Sequence, residues 1–311
     1  MANKNLNNAK AAKQDEFYTR REDIERELTH YEEHFHGKTV YCNCDDPEMS
    51  EFWRFFVRVF WTYKLKKLLA THYEPDEKKS SYKLELIADK PKMFVQDGPI
   101  KTEIPSNGDF RSKCCVELLQ EADIVVTNPP FSLFREYIAQ LMEHDKKFVI
   151  IGSQNAITYK EVFPLLSQNR MWFGYGFAKG DAFFRIPKEN APNYAAGVYN
   201  SETGYVHFRN CTWFTNLDIP KRHIPLDLRG NYYTPEKYPK YDNYDAIEVS
   251  KINDIPCDYD GVMGVPVTFL DKYCPEQFEI VGNEYTLGIE KGRAYLNNKR
   301  LYSRLFIRRI I

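Results

Sequence analysis

Residues 128 to 131 read Asn-Pro-Pro-Phe and directly follow the apolar run Ile124-Val125-Val126-Thr127. Two consecutive prolines remove two backbone donors and stiffen the turn, which leaves carbonyl groups and the Asn128 amide pointing outward. An exocyclic amine on a nucleobase is a poor nucleophile, because its lone pair is delocalised into the ring. Two acceptors on its two hydrogens, the Asn128 side-chain oxygen and the Pro129 carbonyl, would hold that lone pair toward an electrophile. Pro130 would complete the rigid turn and Phe131 would stack on the base, so the catalysis would be placement and hydrogen bonding. A base inside a duplex cannot reach such a site, and its nucleotide would have to be flipped out of the stack. The same four residues would also serve as a stiff turn between a strand and a helix and nothing more. Their surroundings decide between the two.

Those surroundings alternate strand and helix. Apolar or aromatic residues at Phe17, Ile24, Leu28 and Tyr31 predict an amphipathic helix within Asp15 to Phe35, with Thr19 as N-cap and Glu22 closing a capping box. Thr39 to Cys42 is a β-type run that stops at Asp45-Asp46-Pro47, Ser50 to Tyr63 is an aromatic helix, and Lys67 to Tyr73 is a second short strand. The polar, lysine-rich stretch 75–105 is an insertion or edge hairpin, pairing Lys83 to Ala88 with Lys92 to Val95. A helix over Cys114 to Gln120, the strand into Asn128, a helix over Ser132 to His144 and a strand over Lys147 to Gly152 complete the pattern. The fold class expected is therefore α/β, a doubly wound, mostly parallel sheet whose ligands bind at the carboxyl ends of the strands. Beyond Pro187 the chain turns Pro-, Tyr- and Asn-rich with short strands, as in Gly204 to Thr215 and Gly261 to Leu270. Residues 1–185 are expected to form the catalytic domain and 186–311 a target-recognition region.

The 311 residues carry 43 Lys and Arg against 44 Asp and Glu, so net charge does not announce a nucleic-acid binder. Its distribution says more. From Lys291 onward seven basic residues, Lys291, Arg293, Lys299, Arg300, Arg304, Arg308 and Arg309, meet no acidic one, while Lys4, Lys10 and Lys13 precede the first acid. Arg304, Arg308 and Arg309 are the expected phosphate contacts, set against the plainer reading of a solvated, folded edge. No stretch approaches the ~18 apolar residues of a membrane span, and the amino terminus has no signal-peptide core. Seven scattered cysteines do not suggest a disulfide framework, and the expected location is cytoplasmic.

The segment from Asp123 to Ser132 resembles motif IV of the N6-adenine DNA methyltransferases, and the chain as a whole resembles the EcoRI-type adenine-specific modification methylases. The resemblance extends over Asp15 to Thr19, Val40 to Pro47, Gly108 to Ser112, Asn155 to Lys160 and Tyr241 to Ile247, in that order. It implies a class I, Rossmann-like fold, S-adenosyl-L-methionine as cofactor, double-stranded DNA with a flipped adenine as substrate, and a cognate restriction endonuclease acting on the same site. It also implies that Phe17, Tyr18 and Thr19 pack on the methionine part of the cofactor, with Asn43, Asp45 and Asp46 in the place of motif I. Asp109 would accept from the cofactor adenine amine and Phe110 pack on its ring. The glycine-rich loop usual in motif I is absent, replaced by Cys44-Asp45-Asp46-Pro47. The acid for the cofactor ribose is not assigned by the motifs, Glu74 being the nearest candidate.

Other signals fail on spacing. Gly37-Lys38-Thr39 has Glu33 where a phosphate-binding loop needs glycine, and the histidines and cysteines lack zinc spacing, so no metal is expected. An RNA or protein-glutamine methyltransferase would use the same turn, usually with Tyr where Phe131 stands. A DNA-binding relative that has lost catalysis is the reading from another class.

Overall fold

The structure is a computed structural model that describes residues 17–76, 79–88, 98–194 and 197–310, arranged as two compact units. The first unit comprises the chain to Phe163 and the segment Phe173–Leu217; the second comprises Pro164–Trp172 and Asp218–Ile311.

The first unit opens with β1 (Tyr18–Thr19) and α1 (Arg21–Leu28), followed by β2 (Thr39–Cys42), α2 (Glu51–Val59) and β3 (Lys67–Thr71). Next come β4 (Ser81–Ile87), β5 (Ile100–Ile104), α3 (Lys113–Glu121), β6 (Ile124–Thr127), α4 (Phe134–Glu143) and β7 (Lys147–Ser153). After β8 (Trp172–Phe173) the chain adds β9 (Ala182–Arg185), β10 (Tyr199–Asn200), β11 (Tyr205–Phe208) and β12 (Cys211–Thr215). Eight strands form one sheet in the order β5-β4-β3-β2-β6-β7-β12-β8. The four central strands β3, β2, β6 and β7 are parallel, and all four residues of β2 and of β6 are buried, as a strand covered on both faces requires. β4 and β5 on one side and β12 on the other are antiparallel, so the expectation of a mostly parallel sheet holds for the centre and not for the edges.

Helices cover both faces. Phe52 of α2 packs edge-on against Trp213 at 5.9 Å, and Phe134 of α4 packs on Phe214 at 5.3 Å. Consecutive residues of a strand point to opposite faces, so α2 and α4 lie on opposite sides of the sheet. Two of the helices begin with a serine whose hydroxyl accepts a backbone N–H, Ser50 from Phe52 and Ser112 from Cys115. α1 does not begin as expected: its N-cap is Arg20 with no side-chain cap, while the buried Asp23 takes both Arg20 and Arg26 at 3.0 Å.

β4 does pair at the sheet edge, but with Ile100–Ile104; the expected partner segment 92–95 lies outside the described residues, as do Asp15 and the amino-terminal lysines. The division at 185 is also corrected. β9 pairs with β1 and β11, and β12 adds to β7, so the first unit runs on to Leu217.

The small sheet β1-β9-β11-β10 turns one face inward, where Phe17, Phe184, Phe208 and Phe131 meet. All seven cysteines are free, and among the described residues no helix is long and apolar enough to cross a membrane.

The second unit is built on β13 (Ile247–Glu248), β14 (Met263–Pro266), β15 (Phe278–Asn283), the hairpin β16 (Tyr295–Leu296) and β17 (Lys299–Arg300), and β18 (Arg304–Arg309). β18 lies inside its sheet, between β14 and β15, with Leu305, Phe306 and Ile307 buried. Segment Pro164–Trp172 belongs to this unit through Arg222, whose guanidinium lies 3.8 Å over the Trp172 ring and donates to Asn169 Oδ1 at 2.8 Å.

Candidate active site

Because β2, β3 and β6 run parallel, the loops after them leave the sheet at one edge. They enclose a cleft of about 550 Å³ lined by Phe17 and Tyr18, Cys44 to Asp46, His72 to Pro75, Gly108 to Arg111, and Asn128, Pro130, Ser132 and Leu133. Five separate stretches of sequence meet here, all within the first unit.

Asn128 is 5% exposed. Its Nδ2 donates to the Phe17 carbonyl at 2.6 Å, which fixes the amide orientation, and its Oδ1 is buried with no hydrogen-bond partner among the described residues. An acceptor left bare in a protein interior costs about 1–3 kcal/mol, so a group that brings a donor to it is strongly favoured.

Phe131 differs from its expected place. It is buried outside the cleft wall, stacked on Phe17 at 5.6 Å and edge-on to Phe184 at 6.1 Å. The ring that follows the prolines therefore supports Phe17, and it is Phe17 and Tyr18 that line the cleft. Thr19 is corrected too: it is buried, opposite Phe184 in the small sheet, and does not line the cleft.

The loop after β2 takes the place of the missing glycines. Cys44 has φ 84°, a left-handed conformation that costs a non-glycine residue about 1–2 kcal/mol. Its neighbours hold it there. The Asn43 carbonyl accepts from Thr127 Oγ1, Asn43 Oδ1 accepts from the Tyr137 hydroxyl, and Asp45 accepts from Ser50 Oγ at 3.2 Å. Asn43 itself is a brace behind the wall, while Asp45 and Asp46 line the cleft. Burial pushes the Cys44 thiol well above its usual range, the nearby Asp45 charge adding to the effect.

The loop before α3 reaches the cleft because Gly108 sits against the chain after β3. A Cβ at Gly108 would lie 1.8 Å from the His72 carbonyl oxygen, and its φ is +81°, so only glycine fits. Asp109 follows, its carboxylate held by Arg111: Oδ1 accepts the backbone N–H at 2.8 Å and Nε at 2.9 Å, and Oδ2 accepts Nη2 at 2.7 Å. That hydrogen-bonded fork lowers the Asp109 carboxyl below its ordinary range. A carboxylate has about four acceptor sites, so one on Oδ2 is left unfilled by Arg111. Phe110 is buried edge-on to Tyr137 at 5.1 Å and forms part of the wall.

The motifs assign no role to His72, Arg111, Ser132 or Leu133, although Arg111 and Ser132 fall within matching motif segments, and they leave Glu74 open; all five line the cleft. His72 stacks on Tyr82 at 4.9 Å, with Nδ1 3.6 Å from Asp46 Oδ1. Glu74 is held by its own N–H to the Asn107 carbonyl at 2.8 Å. The signal for Glu74 and His72 is their place just after a parallel strand.

In the second unit the three expected phosphate contacts differ from one another. Arg304 is withdrawn: its side chain is 11% exposed and forks onto Glu248 at 2.7–3.2 Å, with the Tyr241 hydroxyl on the same carboxylate. Arg309 is mostly covered and donates to the Cys257 carbonyl. Arg308 is exposed, paired at 2.9 Å with Glu279 directly across the strand.

A cleft at the carboxyl ends of parallel strands, beside a buried amide oxygen with no partner among the described residues, is where an α/β enzyme takes its ligand. The chain belongs to the family described as adenine-specific methyltransferase EcoRI, whose match covers residues 5–309. It is 45% identical to the Type II methyltransferase M.EcoRI of Escherichia coli, over 98% of this chain and 96% of that one. It is 38% identical to the Type II methyltransferases M.MgeORF184P of Mycoplasma genitalium and M.MpnI of Mycoplasma pneumoniae, over 98% and 97% of this chain and the same shares of theirs. No solved structure gives a significant match.

Proposed function

We propose that the chain is a site-specific DNA methyltransferase of restriction-modification type that moves a methyl group from S-adenosyl-L-methionine to the N6 of a flipped adenine, and that its first unit is a class I methyltransferase fold. The observation that carries this reading is the Asn128 amide. Its nitrogen is spent on Phe17, and its oxygen is buried and waiting for a donor. An adenine amine supplies that donor, and its second hydrogen goes to the Pro129 carbonyl. The two bonds turn the nitrogen lone pair out of the ring plane and toward the methyl group. Neither acceptor is basic enough to keep the proton the amine loses, which passes to water.

The residues present fit the cofactor. The cleft is within the usual size of small-molecule sites. The open site on Asp109 suits an adenine amine, Phe110 gives an apolar wall, Glu74 after β3 would take the ribose hydroxyls, and Asp45 and Asp46 suit the methionine end. Bound there, the cofactor would supply an electrophilic methyl on a sulfonium. Phe17 and Tyr18 close the same side of the cleft, with Phe131 holding Phe17 in place. A restriction endonuclease acting on the same sequence is the natural partner of such an activity.

Sequencing modified bases in DNA from cells that express the chain tests this directly. The expected result is N6-methyladenine confined to one short motif; its absence, with the protein folded and abundant, would overturn the proposal.

A further inference from the structure

In the second unit the β16–β17 ribbon half-buries Tyr295 and Leu296 and leaves residues 297–300 exposed. Tyr295 and Leu296 of β16 pair with Arg300 and Lys299 of β17, leaving a two-residue turn, Asn297-Asn298, with φ 51° and 61°. Two positive φ values define the type I′ turn of tight hairpins. The ribbon is fixed by its backbone. Asp242 accepts the N–H groups of Asn297 and Asn298 at 3.1 and 2.7 Å, while Asn243 accepts from Tyr295 N at 3.0 Å and donates to the Arg293 carbonyl at 2.9 Å. The Asn297 and Asn298 side chains stay exposed.

Beside the tip stand the cations Arg293, Lys299 and Arg300, with Asp242 as the acid that holds the turn. Lys299 and Arg300 are exposed, and among the described residues neither has a carboxylate partner. Arg293 lies 5.4 Å over the Tyr285 ring and donates to its hydroxyl at 3.0 Å. Arg293, Arg300, Leu301, Tyr302 and Ser303 line a recess of about 380 Å³, and Tyr302 is 89% exposed. Asp242, the nearby acid, is turned onto the ribbon's own backbone.

We propose that the β16–β17 hairpin reads the target sequence, with the Asn297 and Asn298 amides on base edges in the major groove of double-stranded DNA and Lys299 and Arg300 on the flanking phosphates. The major groove admits a two-stranded ribbon, and an Asn amide matches the N6 and N7 edge of adenine with two hydrogen bonds. A rigid, prepaid backbone spends little entropy on docking such side chains. The proposal rests on the DNA methyltransferase reading above.

Asparagine also favours a type I′ turn for conformational reasons alone, so the test removes the amides and keeps the turn. The double variant Asn297→Gly, Asn298→Gly retains both positive φ angles and both backbone bonds to Asp242. Methylome sequencing of cells expressing it should show a relaxed motif, and discrimination of purified protein between the motif duplex and its single-base variants should fall about tenfold to a hundredfold. Lys299→Gln with Arg300→Gln should instead weaken binding to all duplexes alike and flatten the slope of log affinity against log salt by about 0.9 per lost phosphate contact. Thermal shifts with S-adenosylmethionine should match the parent in both. An unchanged motif and unchanged discrimination in the Gly-Gly variant, or a loss that is uniform across sequences, would overturn the assignment. A parent protein that methylates no DNA would overturn the function instead, and the two failures are distinguishable.

Discussion

Asn128 and Asp109 face the same cleft with opposite consequences. Asn128 Oδ1 has no partner among the described residues and Nδ2 holds the Phe17 carbonyl, so Asn128→Ala should lower the melting temperature only by what that one bond contributes, about 1 kcal/mol, with cofactor affinity near the parent's. Methyl transfer to DNA should fall by about 10²-fold or more, as when one preorganised hydrogen-bonding group is lost from other active sites. A variant with near-parental turnover in a labelled-methyl assay would remove Asn128 from the chemistry. Asp109→Ala should instead weaken cofactor binding first, read by calorimetry, with the residual turnover recovered at high cofactor concentration. The Arg111 fork lowers the Asp109 carboxyl, so the group stays ionised below its usual range. Its contribution is therefore present at neutral pH and lost only as pH falls through that lowered value. Cofactor affinity should accordingly be flat from pH 8 to about pH 5, and a decline centred near pH 6 would point to another group. The Asn-Pro-Pro-Phe turn was legible in the sequence because its chemistry is local. The approach of Gly108 to His72 joins residues that only the sheet brings together, and no local pattern carries it. Gly108→Ala should therefore be the more damaging change, at several kcal/mol, through a backbone clash at 1.8 Å.

The parallel strands were readable for a physical reason: buried on both faces, they appear as continuous apolar runs such as Ile124 to Thr127. Their antiparallel neighbours were readable as strands, at Lys83 to Ala88 and within Gly204 to Thr215, but not as partners of this sheet. Cys211–Thr215 joins Val149 to Ser153, far earlier in the chain, and nothing in its own residues names that partner. The last strand shows the opposite failure, because counting charges hid their partners. Arg304 faces a carboxylate inside the unit, whereas Arg308 faces one in solvent. Arg304→Ala should cost about 3 kcal/mol, since it strands the buried Glu248 charge, while Arg308→Gln should stay within about 0.5 kcal/mol. Denaturant titration of the two variants separates them, and equal effects would show that the Glu248 network does not stabilise the strand.

At the scale of the molecule, the second unit is not simply the end of the chain. The strip Pro164–Trp172 is interposed between two stretches of the first unit, yet Trp172 and Asn169 hold Arg222 of the second. This constrains how the second unit can be exchanged. A recombination joint at Leu217 would import a foreign second unit while leaving behind a strip matched to the old one. A chimera that takes residues 218–311 from a relative should fold poorly, and one that also takes 164–172 should recover soluble yield and a single sharp transition for the grafted unit. Equal yields from the two would show that the strip is generic. If they differ, diversification in this lineage proceeds by paired exchanges or by point changes on exposed ribbons, and the swapping of tails that a linear map of the sequence invites is closed to it.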